Sequence, residues 1–256
     1  MDSFSFAALA AVAFCAAVVQ AATGFGFAII AVPFFLLIMG SLSAIQVTVV
    51  INFIISLVLM QRLLKDAPRR LLLHLIVGSV AGFPIGLVAY KAADLNSMKL
   101  VVGSLIILFA FILLIREWQL RRTDSRPQFT NGQEFFARPL PELAIGVVSG
   151  AMSVALAMPG PVVVLYLLAR HAGKLVSRAA TLLLFGFSYG AVSIVHTMWG
   201  GMTGGSWLLA AKLTPFVIGG AILGHFATHF LSEEHFRSVV LAILIASGFY
   251  AVWTTL

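Results

Sequence analysis

Residues 4–39 read FSFAALAAVAFCAAVVQAATGFGFAIIAVPFFLLIM and contain no Asp, Glu, Lys or Arg. Charge-free runs longer than about 18 residues are typical of membrane-embedded segments. As one helix, this run would be about 54 Å long, whereas the hydrocarbon core of a membrane is about 30 Å thick. The glycines of Thr23-Gly24-Phe25-Gly26 interrupt it. The stretch therefore predicts a membrane segment that is broken near its middle.

The whole chain shares this apolar character. Of its 256 residues, 61% are hydrophobic and 10% are charged, and the mean hydropathy is +1.07. Soluble domains carry roughly 25% charged residues because their surfaces face water. The composition therefore excludes an ordinary soluble domain and predicts an all-α, polytopic membrane protein surrounded by lipid. The net charge of +7 is carried by short loops, which favours a role in membrane orientation over nucleic-acid binding.

Eight apolar blocks follow one another along the chain, and Lys212 is the one Asp, Glu, Lys or Arg inside them. They are residues 4–39, 42–60, 71–90, 100–115, 143–169, 179–199, 207–230 and 239–253. The longest loop between them, 116–141, is polar and contains five arginines. We therefore expect a first transmembrane repeat at 1–115, a linker at 116–141 and a second transmembrane repeat at 142–256.

The two halves resemble each other when one is shifted along the other. A shift of 134 positions aligns Gly26 with Gly160, and a shift of 138 aligns Gly82 and Gly86 with Gly220 and Gly224. Small residues four positions apart let helix backbones approach closely in lipid. The sequence thus predicts two repeats of four hydrophobic segments each.

The first block of the second half is also interrupted. It contains Met158-Pro159-Gly160-Pro161, and two prolines so close together are incompatible with an unbroken helix. If this block dips into the membrane and returns, thirteen Lys and Arg lie on one side and two on the other, with Lys212 counted as intramembrane. The positive-inside rule favours this arrangement and places the linker in the cytoplasm. Repeat symmetry extends re-entry to the first block, which would make the two repeats inverted.

The two breaks are the predicted substrate site. Unwound backbone is tolerated at membrane depth only where it is buried in protein or lines a cavity. The helix starts that follow the breaks direct free N–H groups and a positive dipole end into that cavity, which suits a small anion. The expected binding residues are Thr23, Gly24, Phe25, Gly26 and Phe27 of the first break and Met158, Pro159, Gly160 and Pro161 of the second.

Four further residues are candidates for the same site. Asn52, Ser188 and Tyr189 are interior polar residues that either line the cavity or form hydrogen bonds between helices. Lys212 either attracts the anion or extends its charge to the membrane interface. Every Asp and Glu lies at or near a block boundary, which argues against a cation carrier. Without an HExxH or P-loop pattern, we expect no catalytic residue, metal or cofactor.

The chain resembles the TauE/SafE sulfite exporter family of the TSUP superfamily. The resemblance rests on the first break with Val32-Pro33 after it, and on the run from Gly160 to Arg170, and it extends over essentially the whole chain. It implies a permease of the bacterial cytoplasmic membrane that moves sulfite or organosulfonates, commonly outward. An uptake permease or channel for another small anion, and less readily a membrane-embedded enzyme, stay open as alternatives, as does assembly into a homo-oligomer.

Overall fold

The computed structural model of the chain describes residues 2–61, 63–122, 138–170 and 172–227. Over these residues the chain forms nine α-helices and no strand, as the sequence predicts. The helices are α1 Ser3–Thr23, α2 Phe27–Met39, α3 Ser43–Met60, α4 Arg69–Ala92, α5 Leu95–Arg122, α6 Pro139–Leu156, α7 Gly160–Ala169, α8 Lys174–Met198 and α9 Gly204–Ala227. The predicted eighth block, 239–253, and residues 123–137 of the predicted linker lie outside the described residues.

Seven of these helices are long and apolar enough to cross a membrane: α1, α3, α4, α5, α6, α8 and α9. The other two follow the breaks: α2 has 13 residues and α7 has 10. At about 1.5 Å per residue neither reaches across the hydrocarbon core. Large apolar side chains such as Val88, Phe111 and Ile194 are exposed on the outer faces of α4, α5 and α8, as expected for helices that contact lipid. Each predicted broken block is thus a pair of helices.

Glycines fix the closest helix contact, between α4 and α6. A β-carbon on Gly82 would lie closer than 3.0 Å to the backbone of Val147 and Ala151, and one on Gly86 would meet Ala151 equally closely. Gly86 follows Gly82 along α4, and its contact Ala151 follows Val147 along α6. The two helices therefore run parallel. Both helices therefore begin on one side of the membrane, which we call the linker side.

A second glycine contact joins α1 to α9 in the same manner. A β-carbon on Gly220 would meet the carbonyl oxygen of Phe14, and one on Gly224 would meet that of Val18. These two helices also run parallel. The glycines that the sequence aligned by a shift of 138 positions thus occupy matching contacts in the two halves.

The direction of α8 shows on which side of the membrane the α6–α7 pair ends. Gly186 lies against Met60, Gly190 lies against Phe53, and the side chain of Gln46 donates to the Gly200 carbonyl at 3.0 Å. α3 and α8 are therefore antiparallel, and α8 begins on the linker side, where α3 ends. Since α6 also begins there, the α6–α7 pair enters the membrane and returns.

The same reasoning applies to the first pair. α9 begins on the side where α8 ends, opposite the linker side. α1 runs parallel to α9, and α3 begins on that same opposite side, so the α1–α2 pair also returns to the side on which it started. The two pairs enter from opposite sides, which is the arrangement that inverted repeats require; the repeat itself stays a prediction.

A buried carboxylate joins three helices near the linker side. Glu142, in the first turn of α6, is fully buried, and its Oε2 lies 2.6 Å from Nδ1 of His74 on α4. Its Oε1 accepts from the backbone N–H of Arg138 at 2.8 Å and from the Tyr166 hydroxyl of α7 at 3.2 Å. This cluster ties α7 to the α4–α6 contact.

Substituting Gly82 with alanine should destabilise the fold, because its β-carbon would collide with the α6 backbone. Overpacking of this kind costs about 1–3 kcal/mol. We expect a lower Tm for the detergent-purified protein, followed as the monodisperse fraction after heating. Gly204→Ala is the control, since no atom lies within 4 Å of a β-carbon there. Equal Tm values for the two variants would contradict the close α4–α6 contact.

Candidate functional site

The first break lies between α1 and α2. Gly24 and Gly26 have φ of 89° and 112°, values in the left-handed region that favours glycine. The Thr23 hydroxyl accepts from the N–H of Phe25 at 3.2 Å, donates to the Val19 carbonyl at 2.9 Å and lies close to the Phe25 carbonyl. Its hydrogen bonds therefore hold the break together and are not directed at a ligand.

The second break lies between α6 and α7, at Ala157-Met158-Pro159. Ala157 has φ of 55°, and its carbonyl accepts from the Tyr189 hydroxyl of α8 at 2.8 Å. The Pro159 carbonyl accepts from the Ser149 hydroxyl of α6 at 3.0 Å. These two side chains supply partners for carbonyls that the break removes from the helical ladder. α7 begins at Gly160.

The two breaks meet at one small cavity. Its lining consists of Gln20, Gly26, Ala28 and Ile29 from the first segment, Met158, Gly160 and Pro161 from the second, and Phe185 and Tyr189 from α8. The cavity volume is about 10 Å³, which is enough for about one water molecule. Phe185 and Tyr189 lie near the middle of α8, so the cavity is near the centre of the membrane.

Hydrogen-bond donors of two kinds, backbone N–H groups and a side-chain amide, lie around this cavity. The first N–H groups of a helix have no partner within the helix, and its N-terminus carries partial positive charge. Both conditions hold at the starts of α2 and α7, whose residues line the cavity. The Gln20 side chain is fully buried; its Oε1 accepts from the N–H of Phe27 at 3.2 Å, and its Nε2 has no partner. Among the lining residues that the structure describes, none is charged, so the site suits an anion.

Five of the thirteen predicted site residues line the cavity: Gly26, Met158, Gly160, Pro161 and Tyr189. Five others shape the breaks around it: Thr23, Gly24, Phe25, Phe27 and Pro159. The remaining three do not line it. Asn52 and Ser188 are fully buried in α3 and α8, where Asn52 donates to the Thr48 carbonyl at 3.1 Å. Lys212 is exposed on α9.

Sequence reasoning missed four lining residues: Gln20, Ala28, Ile29 and Phe185. A signal existed for Gln20, because it is the one amide side chain in the charge-free run 4–39. Phe185 carried no signal, since an aromatic residue in an apolar helix is ordinary. Its proximity to Gly160, with Cζ 2.9 Å from a β-carbon built there, arises only from the packing of α7 on α8.

These features define a polytopic helical membrane protein in which two re-entrant segments enclose an internal, donor-lined cavity. The chain belongs to the TauE/SafE sulfite exporter family: the family model "Sulfite exporter TauE/SafE" matches residues 9–251, nearly its whole length. Neither the curated proteins nor the solved structures gave a significant match. The family is one of membrane transporters, as the sequence resemblance implied.

Replacing Thr23 with valine should destabilise the first break. Valine has nearly the same shape as threonine, but it leaves the Phe25 N–H without its acceptor, at a cost of about 1–3 kcal/mol. Thr23→Ser keeps the hydroxyl and is the matched control. The Tm measured in detergent should be higher for wild type and Thr23→Ser than for Thr23→Val. A valine variant as stable as wild type would show that the hydroxyl does not organise the break.

Proposed function

We propose that the protein is a secondary transporter for small sulfur-containing anions, such as sulfite or organosulfonates, and that it works in export. One observation carries the proposal: both breaks line the same cavity near the middle of the membrane. Two helix N-termini and the Gln20 amide then offer donors to one ligand. A sulfur oxyanion has several acceptor oxygens and matches that set of donors.

The size of the cavity supports a carrier cycle. At about 10 Å³ it has room for about one water molecule and is too narrow for sulfite. Binding therefore requires the two re-entrant pairs to move apart at their breaks. Because the pairs enter from opposite sides, displacement of one pair would open the cavity to one side while the other pair keeps it closed, which is alternating access.

The charge distribution supports the proposed orientation. The loops predicted on the linker side carry thirteen Lys and Arg, so the positive-inside rule assigns that side to the cytoplasm. We place the protein in the bacterial cytoplasmic membrane, with the linker in the cytoplasm, lipid around the bundle and a small anion as substrate. A homo-oligomer is compatible with this arrangement.

Flux into proteoliposomes tests the proposed function. The purified protein should exchange sulfite, sulfoacetate, thiosulfate or taurine across the bilayer with saturation, because a carrier must bind its substrate in every cycle. Counterflow of labelled substrate against an unlabelled pool distinguishes a carrier from a channel, which gives flux without counterflow. Indifference to all four compounds would exclude the sulfur-anion assignment.

Gln20→Glu tests the sign of the substrate charge. Glutamate keeps an oxygen acceptor for the Phe27 N–H but replaces the amide donors with a negative charge in the cavity. Since like charges brought together cost several kcal/mol, anion flux should fall more than about tenfold. Unchanged or faster flux would overturn the anion site.

The position of the site is tested separately with Gly160→Leu. Leucine would fill the cavity against Phe185, so transport should be lost while insertion and yield are retained. Ala169→Leu, at the exposed end of the same helix, is the control and should transport normally.

A further inference from the structure

Arg178 lies closer to the cavity than its place in the sequence suggests. It precedes the predicted sixth block, 179–199, but the helix begins earlier, at Lys174, so Arg178 lies inside the first turns of α8. Its stem packs on Gly24, where a β-carbon would be 2.6 Å from the Arg178 Cγ. One guanidinium nitrogen donates to the Ala21 carbonyl in the last turn of α1 at 2.6 Å. The residue is therefore part of the wall around the first break.

Most of the donors on this guanidinium have no acceptor. Arginine has five N–H donors, and the bond to Ala21 is the one that the structure records for Arg178. Its Nε is buried without a partner, and within the described part of the chain no carboxylate lies within 4 Å of it. A cation at the C-terminal end of α1 is favourable for the helix dipole, but that role needs only one donor. An unpaired charge inside a membrane protein is costly and is usually functional.

The position of Arg178 connects the linker side to the cavity. It lies seven residues before Phe185 on α8, about 10 Å along the helix axis. Ala21, its partner, directly follows Gln20, whose unpartnered and fully buried Nε2 belongs to the cavity lining. An anion moving inward from the linker side would thus meet the guanidinium first and the Gln20 amide next.

We propose that Arg178 receives the anion on the linker side of the cavity and makes the transporter prefer substrates with higher negative charge. This inference rests on the proposed function and adds to it a specificity-determining residue. The guanidinium binds substrate oxygens through the donors that Ala21 leaves free. The preferred class is then sulfur anions of two negative charges, such as sulfoacetate, over zwitterions such as taurine.

The experiment compares wild type, Arg178→Lys and Arg178→Gln in proteoliposomes, with substrate supplied on the linker side. In Arg178→Gln, the apparent KM for sulfoacetate should rise about tenfold or more, as the loss of a charge-assisted hydrogen bond predicts, whereas the KM for taurine should change less. Added salt should raise the wild-type KM for sulfoacetate, because it screens the attraction. Arg178→Gln should lose that salt dependence, and Arg178→Lys should retain it with a KM raised severalfold.

A purely structural role at the end of α1 predicts a different result. Transport of both compounds would then fall in proportion to the amount of folded protein, while KM and its salt dependence would stay as in wild type. That result would overturn the inference. If Arg178→Gln does not fold, Arg178→Lys still decides, since a wild-type KM in that variant excludes a guanidinium contact with substrate. Absence of saturable flux in wild type would instead reject the proposed function itself.

Discussion

Backbone groups that leave a helix inside a membrane must find partners within the protein, and this requirement determines where both breaks lie. In the first break, the Thr23 hydroxyl accepts from the backbone of Phe25, and the Gln20 side chain accepts from that of Phe27. In the second, Ser149 and Tyr189 donate to the carbonyls of Pro159 and Ala157. Three of these partners, Gln20, Ser149 and Tyr189, are fully or almost fully buried in the bundle, and Thr23 is half-buried. The first backbone N–H groups of α2 and α7 lie around one cavity, and this arrangement is the reason for proposing that an anion binds there.

Close packing of glycines brings the two breaks to that place. The parallel contacts of α4 with α6 and of α1 with α9 each place glycines against the backbone of the facing helix. The helix axes can therefore approach more closely than larger side chains would allow. α3 and α8 cross the bundle between these contacts, and α8 provides Phe185 and Tyr189 to the cavity. The cavity is accordingly surrounded by long helices, while its backbone N–H donors belong to the two short helices. Because α1 packs on α9 and α6 packs on α4, each re-entrant pair would move together with its long partner, as the rocking of one bundle against the other requires.

Much of the fold follows from the sequence because lipid imposes simple rules. The length of run 4–39 and the prolines around Gly160 were sufficient to predict two broken segments. The distribution of Lys and Arg predicted that the second one returns, and repeat symmetry extended this to the first. Residues at the breaks could be identified because closely spaced glycines, or two prolines around a glycine, interrupt a helix, whereas the single prolines Pro33, Pro84 and Pro215 lie inside helices. The roles of Gln20 and Arg178 could not, since both depend on contacts across long sequence distances: Arg178 reaches Ala21 from 157 positions away. Lys212 was a candidate for the site because of its charge, with extension to the membrane interface as the alternative, and it lies exposed on α9. The Glu142 cluster escaped prediction for a related reason, because its location near a block boundary gave no indication of full burial.

The central claim is that one anion binds where the two breaks meet. Selenite offers the most direct measurement, because it has the shape and oxygens of sulfite and selenium can be located by anomalous scattering. In crystals of the protein soaked with selenite, we predict one selenium peak between Gly26 and Gly160, within about 4 Å of the backbone nitrogens of Ala28 and Gly160. A selenium site elsewhere in the bundle, in protein that transports sulfite, would contradict the account.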